Sequence, residues 1–88
     1  MKKGEFINIA KRMVKEYFNR YVDKENIIKK IDVKVNKFVE EENVYRIILD
    51  TPGRDDTFYG VTYHKDTGEF NSFIYKKIDD NTIGAKII

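Results

Sequence analysis

The sequence has no cysteine and no tryptophan, and it has only one proline and five glycines among its 88 residues. The absence of cysteine excludes a disulfide framework, a thiolate metal site and a thiol nucleophile. No stretch approaches the roughly 18 consecutive apolar residues of a membrane-spanning helix, and no signal-peptide core follows Lys2 and Lys3. Hydrophobic residues make up 41% of the chain and charged residues 36%, which excludes a disordered or collagen-like protein. We therefore expect residues 1–88 to form one cytoplasmic globular domain.

The N-terminal part of the chain carries a helical pattern. Between residues 5 and 22, apolar residues recur at spacings of three and four, and polar residues fill the other positions. The apolar stripe consists of Phe6, Ile7, Ala10, Met13, Val14, Tyr17, Phe18 and Tyr21. This spacing predicts one amphipathic helix over about 5–22. Residues 23–30 are interpreted as a connector that Ile27 and Ile28 anchor.

From residue 31 onwards the apolar period changes to two, which predicts β-strands. We expect strands at about 31–40, 44–50, 57–65, 69–77 and 82–88. Glu-Glu-Asn at 41–43 and Asp-Thr-Gly at 66–68 predict hairpin loops, and Pro52-Gly53 predicts a type II turn. The expected fold is α+β: an N-terminal amphipathic helix packs across one face of an antiparallel meander sheet of four to five strands, in two layers.

The registers of the two hairpins decide which residues face away from the helix. We predict that Glu40 pairs with Val44, and that Lys65 pairs with Glu69. The outer face then carries Phe38, Val44, Ile48, Phe58, Phe70 and Ile74. Apolar patches of several hundred Å² mark interfaces. Four interpretations stay open: the patch binds a second copy or another protein, sheet twist separates its members, residues 78–88 cover it, or the predicted registers are wrong.

We select six residues around this predicted patch as candidates for partner binding, because aromatic and arginine side chains concentrate interface energy. They are Phe38, Arg46, Phe58, His64, Phe70 and Ile74. His64 is the only histidine, and no motif places a serine nucleophile beside it, so a packing or surface role is expected. We predict no catalytic residue, no metal site and no cofactor.

The uneven distribution of charge leads to an alternative function. Residues 1–30 contain nine Lys and Arg against four Asp and Glu. A basic helix face formed by Lys11, Arg12, Lys15 and Arg20 is typical of a protein that binds nucleic acid. Glu16, however, lies one helical turn from both arginines, as on a solvated helix face that needs no partner. Both interpretations stay open.

The second hairpin supplies a family resemblance. Residues 59–70 read YGVTYHKDTGEF and follow a helix and an earlier hairpin. This turn and element order resemble small PepSY-like domains and YrhB-like immunity domains, which belong with the broader cystatin-like folds. The resemblance implies a non-catalytic binding or inhibitory module, such as an immunity protein of bacterial, phage or mobile-element origin that occludes a target. We therefore predict a protein-binding module whose partner is another protein or a second copy, with nucleic acid as the alternative and no membrane partner.

Overall fold

The structure, a computed structural model, describes residues 1–21, 33–51, 54–79 and 82–88, without the side chains of residues 19–21, 54 and 82. Its elements are helix α1 (Lys3–Tyr21) and strands β1 (Val35–Glu40), β2 (Val44–Thr51), β3 (Arg54–His64), β4 (Phe70–Asp79) and β5 (Thr82–Ile87). The strands form one antiparallel sheet in the order β1-β2-β3-β4-β5. The predicted α+β architecture is confirmed.

Most element bounds lie within two residues of the predictions, and two differ by more. Strand β1 begins only at Val35, and Val33 and Lys34 precede it without strand structure. Strand β3 begins at Arg54 rather than at residue 57, because its ladder with β2 continues to the pair Thr51–Arg54. The predicted connector at 23–30, the Pro52-Gly53 turn and the turn at 79–81 lie wholly or partly outside the described residues.

Helix α1 buries its apolar stripe against one face of the sheet, which we call the helix face. Four residues spaced by four positions are fully buried: Phe6, Ala10, Val14 and Phe18. They form one core with residues of the central strands, namely Tyr45, Ile47, Leu49, Tyr59 and Val61. Burying each large apolar side chain contributes about 1.5–3 kcal/mol, so this stripe is a main source of stability.

Aromatic contacts set the direction of α1 along the sheet. The Phe6 ring stacks on Tyr45 with centroids 5.2 Å apart, near the β1–β2 hairpin, and Tyr17 meets Tyr59 at 5.7 Å. The hydroxyl of Tyr45 also donates a hydrogen bond to the carbonyl oxygen of Met1 at 3.2 Å. These contacts hold both ends of the helix over the central strands.

Both hairpin registers differ by one residue from the prediction. Glu40 pairs with Tyr45, not with Val44, and an irregularity between Val35 and Lys37 takes up the shift. This places Phe38 opposite Ile47 on the helix face. The Asn36 side chain at the irregularity donates a hydrogen bond to Asp50 Oδ1 at 3.1 Å.

The β3–β4 hairpin has a four-residue loop instead of the predicted three-residue loop. The Gly68 amide donates to the His64 carbonyl at 2.8 Å, Gly68 adopts a φ of 76°, and the His64 amide donates to the Glu69 carbonyl. The side chains of Asp66 and Thr67 accept backbone hydrogen bonds within the loop, which stabilises the longer turn. A one-residue change of register places every side chain of a strand on the opposite face. The predicted register would place Phe73 and Tyr75 on the helix face, and in the structure they lie on the other face.

Candidate functional site

The outer face of the sheet is the side turned away from α1. Residues that are directly opposite in a sheet point to the same side, so the observed pairs assign this face. Its larger side chains are Lys37, Val39, Val44, Arg46, Ile48, Phe58, His64, Phe73, Tyr75, Lys77, Ile83 and Ile87. Within the described ranges the only helix packs on the opposite side, so none of these elements covers the outer face.

Three of the six predicted partner-binding residues lie on the outer face and three do not. Arg46, Phe58 and His64 are correctly placed. The placement of Phe38, Phe70 and Ile74 was wrong, because both registers are shifted by one residue.

The three misplaced residues pack on the helix face. Phe38 lies 6.2 Å from the Phe6 ring, and Phe70 lies 4.8 Å from the Tyr63 ring. Ile74 is opposite Tyr59 and packs against the core. Phe38 and Ile74 therefore extend the hydrophobic core, whereas Phe70 contacts Tyr63 and is still 36% exposed.

A cluster of four apolar side chains, which we call the apolar centre, occupies the outer face. It consists of Ile48, Phe58, Tyr75 and Ile83, and together with Asn36 it borders a shallow cavity of about 370 Å³. Ile83 is 66% exposed, and the other three are half-buried by one another and by neighbouring strands. Such a cluster offers a binding partner apolar area that is already ordered by the sheet.

Gly60 decides how Tyr75 lies in the apolar centre. A Cβ atom at residue 60 would lie only 2.4 Å from Cε2 of Tyr75, so the ring crosses β3 where a side chain is missing. The sequence predicts a gap at Gly60 beside Ile74, and in the structure the Tyr75 ring fills that gap. The Phe73 ring continues the aromatic surface, 6.1 Å from Tyr75.

Charged groups surround the apolar centre. Arg46 Nε and Glu41 Oε1 form an ion pair at 3.0 Å, with both side chains 54% exposed. A second cavity of about 150 Å³ includes Lys37, Arg46 and Tyr75 among its lining residues. An apolar centre with a polar rim is the usual anatomy of a protein–protein interface. An exposed ion pair of this kind contributes only about 0–1 kcal/mol to stability, so its position matters more for recognition.

The predicted nucleic-acid-binding residues lie on α1. Arg12 is exposed, and Lys11 and Lys15 are partly exposed one helical turn apart. The backbone of Arg20 belongs to the last turn of α1, and its side chain lies outside the described residues. The helix therefore brings two of the lysines together, as the sequence predicts.

A groove between α1 and strands β3 to β5, which reaches the β5 edge, was not predicted from the sequence. It has a volume of about 490 Å³ and is lined by Tyr17, Tyr59, Ser72, Lys86, Ile87 and Ile88. Burial raises the pKa of Tyr59, and a hydrogen bond with Ser72 opposes this effect. The groove depends on the pairing of β4 with β5, which local periodicity does not reveal.

The described residues contain no group of three or more His, Cys, Asp or Glu that is arranged to hold a metal ion. None of the helices in this part of the chain is long and apolar enough to cross a membrane.

The fold and this face define a small α+β protein in which helix α1 packs on an open five-stranded antiparallel sheet. Residues 7–85 match the model of DUF6275, a family of unknown function, and the chain belongs to this family. The matched range includes most of α1 and strands β1 to β4 completely, and it ends within β5. No curated protein and no solved structure matches the chain.

Proposed function

We propose that this chain is a non-catalytic protein-binding module and that its binding surface is the outer face of the sheet. The observation that supports the proposal is the apolar centre of Ile48, Phe58, Tyr75 and Ile83, over which no described element packs. Strands spaced by about 4.8 Å and rising about 3.3 Å per residue give the face an area on the order of 500 Å². This area includes the polar rim, and the apolar centre is its contiguous apolar part; such patches on a protein surface often mark interaction sites.

The shape of the face favours binding by occlusion. An open sheet covers an area of its partner's surface, whereas a catalytic pocket encloses a substrate. We therefore propose that the module acts as an inhibitor or immunity protein of bacterial, phage or mobile-element origin, which blocks a surface of its target. Phe58 and Tyr75 are the expected anchors, because aromatic side chains at the centre of an interface carry much of the binding energy.

Site-specific photo-crosslinking in the cells that naturally contain the chain tests this proposal. A photoreactive benzoylphenylalanine replaces either Phe58 on the outer face or Phe70 on the helix face, and Phe70 is the matched aromatic control. We expect crosslinks to another protein from position 58 and few from position 70.

Two results would contradict the proposal. Equal crosslinking from both positions, or none from position 58, would show that the outer face is not the binding surface. Crosslinks from position 58 to a second copy of the chain alone would assign the face to self-association.

A further inference from the structure

The two edges of the open sheet differ in their protection against pairing with another strand. Edge strand β1 carries the irregularity between Val35 and Lys37 and ends at Glu40, so only a short regular segment is left. Edge strand β5 pairs regularly with β4 from Ile83 to Ile87, and Lys86 is its only charged residue. Regular apolar edges are the ones that recruit a further strand, whereas bulges and charges prevent it.

The hydrogen bonds of β5 show which of its backbone groups face outward. The Ile88 amide donates to the Ser72 carbonyl at 3.0 Å, in the same register that pairs Ile87 with Phe73. Since hydrogen-bonded pairs alternate along an antiparallel ladder, Gly84 and Lys86 also bond to β4. The amide and carbonyl groups of Ile83, Ala85 and Ile87 therefore point away from β4. In the described part of the chain, no strand lies on that side.

We propose that β5 pairs antiparallel with β5 of a second copy, about a twofold axis at Ala85. Ala85 is then opposite the partner's Ala85, and Ile83 is opposite the partner's Ile87. All three outward-facing residues exchange hydrogen bonds with the second copy, and the two sheets become one continuous sheet. The same strand supplies both sides of the contact, as a twofold interface requires.

The composition of β5 fits this register. Ile83 and Ile87 are 66% and 74% exposed, and the pairing buries each against the other across the interface. Lys86, the only charge, is opposite the partner's Gly84, so no like charges meet. If the two β5 strands shift by two residues in either direction, one of the three outward-facing residues loses its partner. One of these two shifts also places Lys86 opposite the partner's Lys86. The register centred on Ala85 is therefore the favoured one.

The dimer is separate from the proposed partner-binding function. Phe58 lies on β3, and β4 separates it from the β5 edge, so edge pairing leaves the anchor residues uncovered. Ile83 contributes to both surfaces and is excluded from the test. Substitutions at Ala85 test the dimer, and position 58 tests the partner surface, so the two proposals fail independently.

The first experiment is sedimentation equilibrium of the full wild-type chain and of two separate variants at Ala85. Ala85→Pro removes the outward amide without removing a bond to β4, and proline is tolerated at such edge positions. Ala85→Val is the matched control that keeps the amide. We expect the wild type and Ala85→Val to be dimers, and Ala85→Pro to weaken association at least about tenfold, given its loss of symmetric hydrogen bonds. A monomeric wild type, or an Ala85→Pro dimer as tight as wild type, overturns the proposal.

A second experiment decides the question even if Ala85→Pro fails to fold. Ala85→Glu and Ala85→Lys each place like charges opposite one another at the axis, so each variant alone is expected to be monomeric. An equimolar mixture is expected to form a heterodimer. Val35→Glu and Val35→Lys are the controls, because Val35 is 40% exposed but lies on β1, the other edge strand of the sheet. A mixture no more associated than its components overturns the proposal.

Discussion

Single residues shape the outer face of this sheet. Gly60 lies in the central strand, where a residue with a side chain is normally preferred. Its missing Cβ lets the Tyr75 ring lie across β3 and join Phe58 and Ile48 in the apolar centre. The ring is therefore held in place by the sheet before any partner binds, which reduces the entropy lost on binding.

A double-mutant cycle at Gly60 and Tyr75 tests this coupling. Gly60→Ala places a methyl group 2.4 Å from the present position of Tyr75 Cε2, so the ring must move. We expect the substitution to lower the free energy of unfolding by about 1–2 kcal/mol in the wild type. In a Tyr75→Ala background we expect it to be neutral or to stabilise by about 0.5–1 kcal/mol, as alanine usually does over glycine in a strand.

Urea denaturation of the four proteins measures the interaction between the two sites. An equal effect of Gly60→Ala in both backgrounds would show that Tyr75 does not occupy the space above Gly60.

Among the elements, helix α1 has two faces with different roles. Its apolar face supplies Phe6, Val14 and Phe18 to the core. The opposite face carries Lys11, Arg12 and Lys15, which an alternative function assigns to nucleic acid. A face of this kind also forms when charges only keep a helix solvated, so a binding measurement has to separate the two roles.

The nucleic-acid alternative predicts strongly salt-dependent binding of DNA or RNA. The slope of log affinity against log salt falls by about one for each phosphate-contacting lysine that is replaced. Lys11→Gln with Lys15→Gln is therefore expected to reduce the slope by about two, while Lys37→Gln on β1 leaves it unchanged. Titration of a labelled duplex and a single strand measures the slope. Absence of binding at low salt would rule out this alternative.

The stability of the whole molecule is expected to fall at alkaline pH. Burial raises the pKa of Tyr59, and the hydrogen bond from Lys65 to Glu40 at 2.9 Å raises the pKa of Lys65. In both cases the folded state favours the protonated form. The contribution of these two groups to the free energy of unfolding is complete below their pKa values in the unfolded chain, near 10. It is lost as the pH rises through their higher pKa values in the folded protein.

Urea unfolding between about pH 8 and pH 11 measures this loss. Tyr59→Phe removes one titrating group and Glu40→Gln removes the partner of Lys65, so each is expected to flatten the decline above about pH 10. The same decline in both variants as in the wild type would assign the alkaline loss of stability to other groups.

The order and type of the elements follow from local patterns in the sequence. The spacing of Phe6, Ala10, Val14 and Phe18 defines the buried stripe of α1, because a helix repeats every 3.6 residues wherever it packs. Alternation of apolar and polar residues likewise identifies the strands. These periodicities need no knowledge of the partner strand or helix. Of the eight residues they assign to the apolar stripe of α1, the structure buries Phe6, Ala10, Val14 and Phe18, and it leaves Ile7, Met13 and Tyr17 partly exposed.

The assignment of residues to the two faces of the sheet depends instead on contacts that form only in the folded chain. The irregularity at Asn36 shifts the register between β1 and β2 by one residue. The hydrogen bonds of Asp66 and Thr67 stabilise a loop that is one residue longer than predicted, which shifts the register between β3 and β4. A period of two cannot distinguish registers that differ by one residue, yet such a slip exchanges the faces. Arg46, on β2, lies on the outer face as predicted. Because the register of β4 differs by one residue from the prediction, Phe70 lies on the helix face and Tyr75 lies on the outer face.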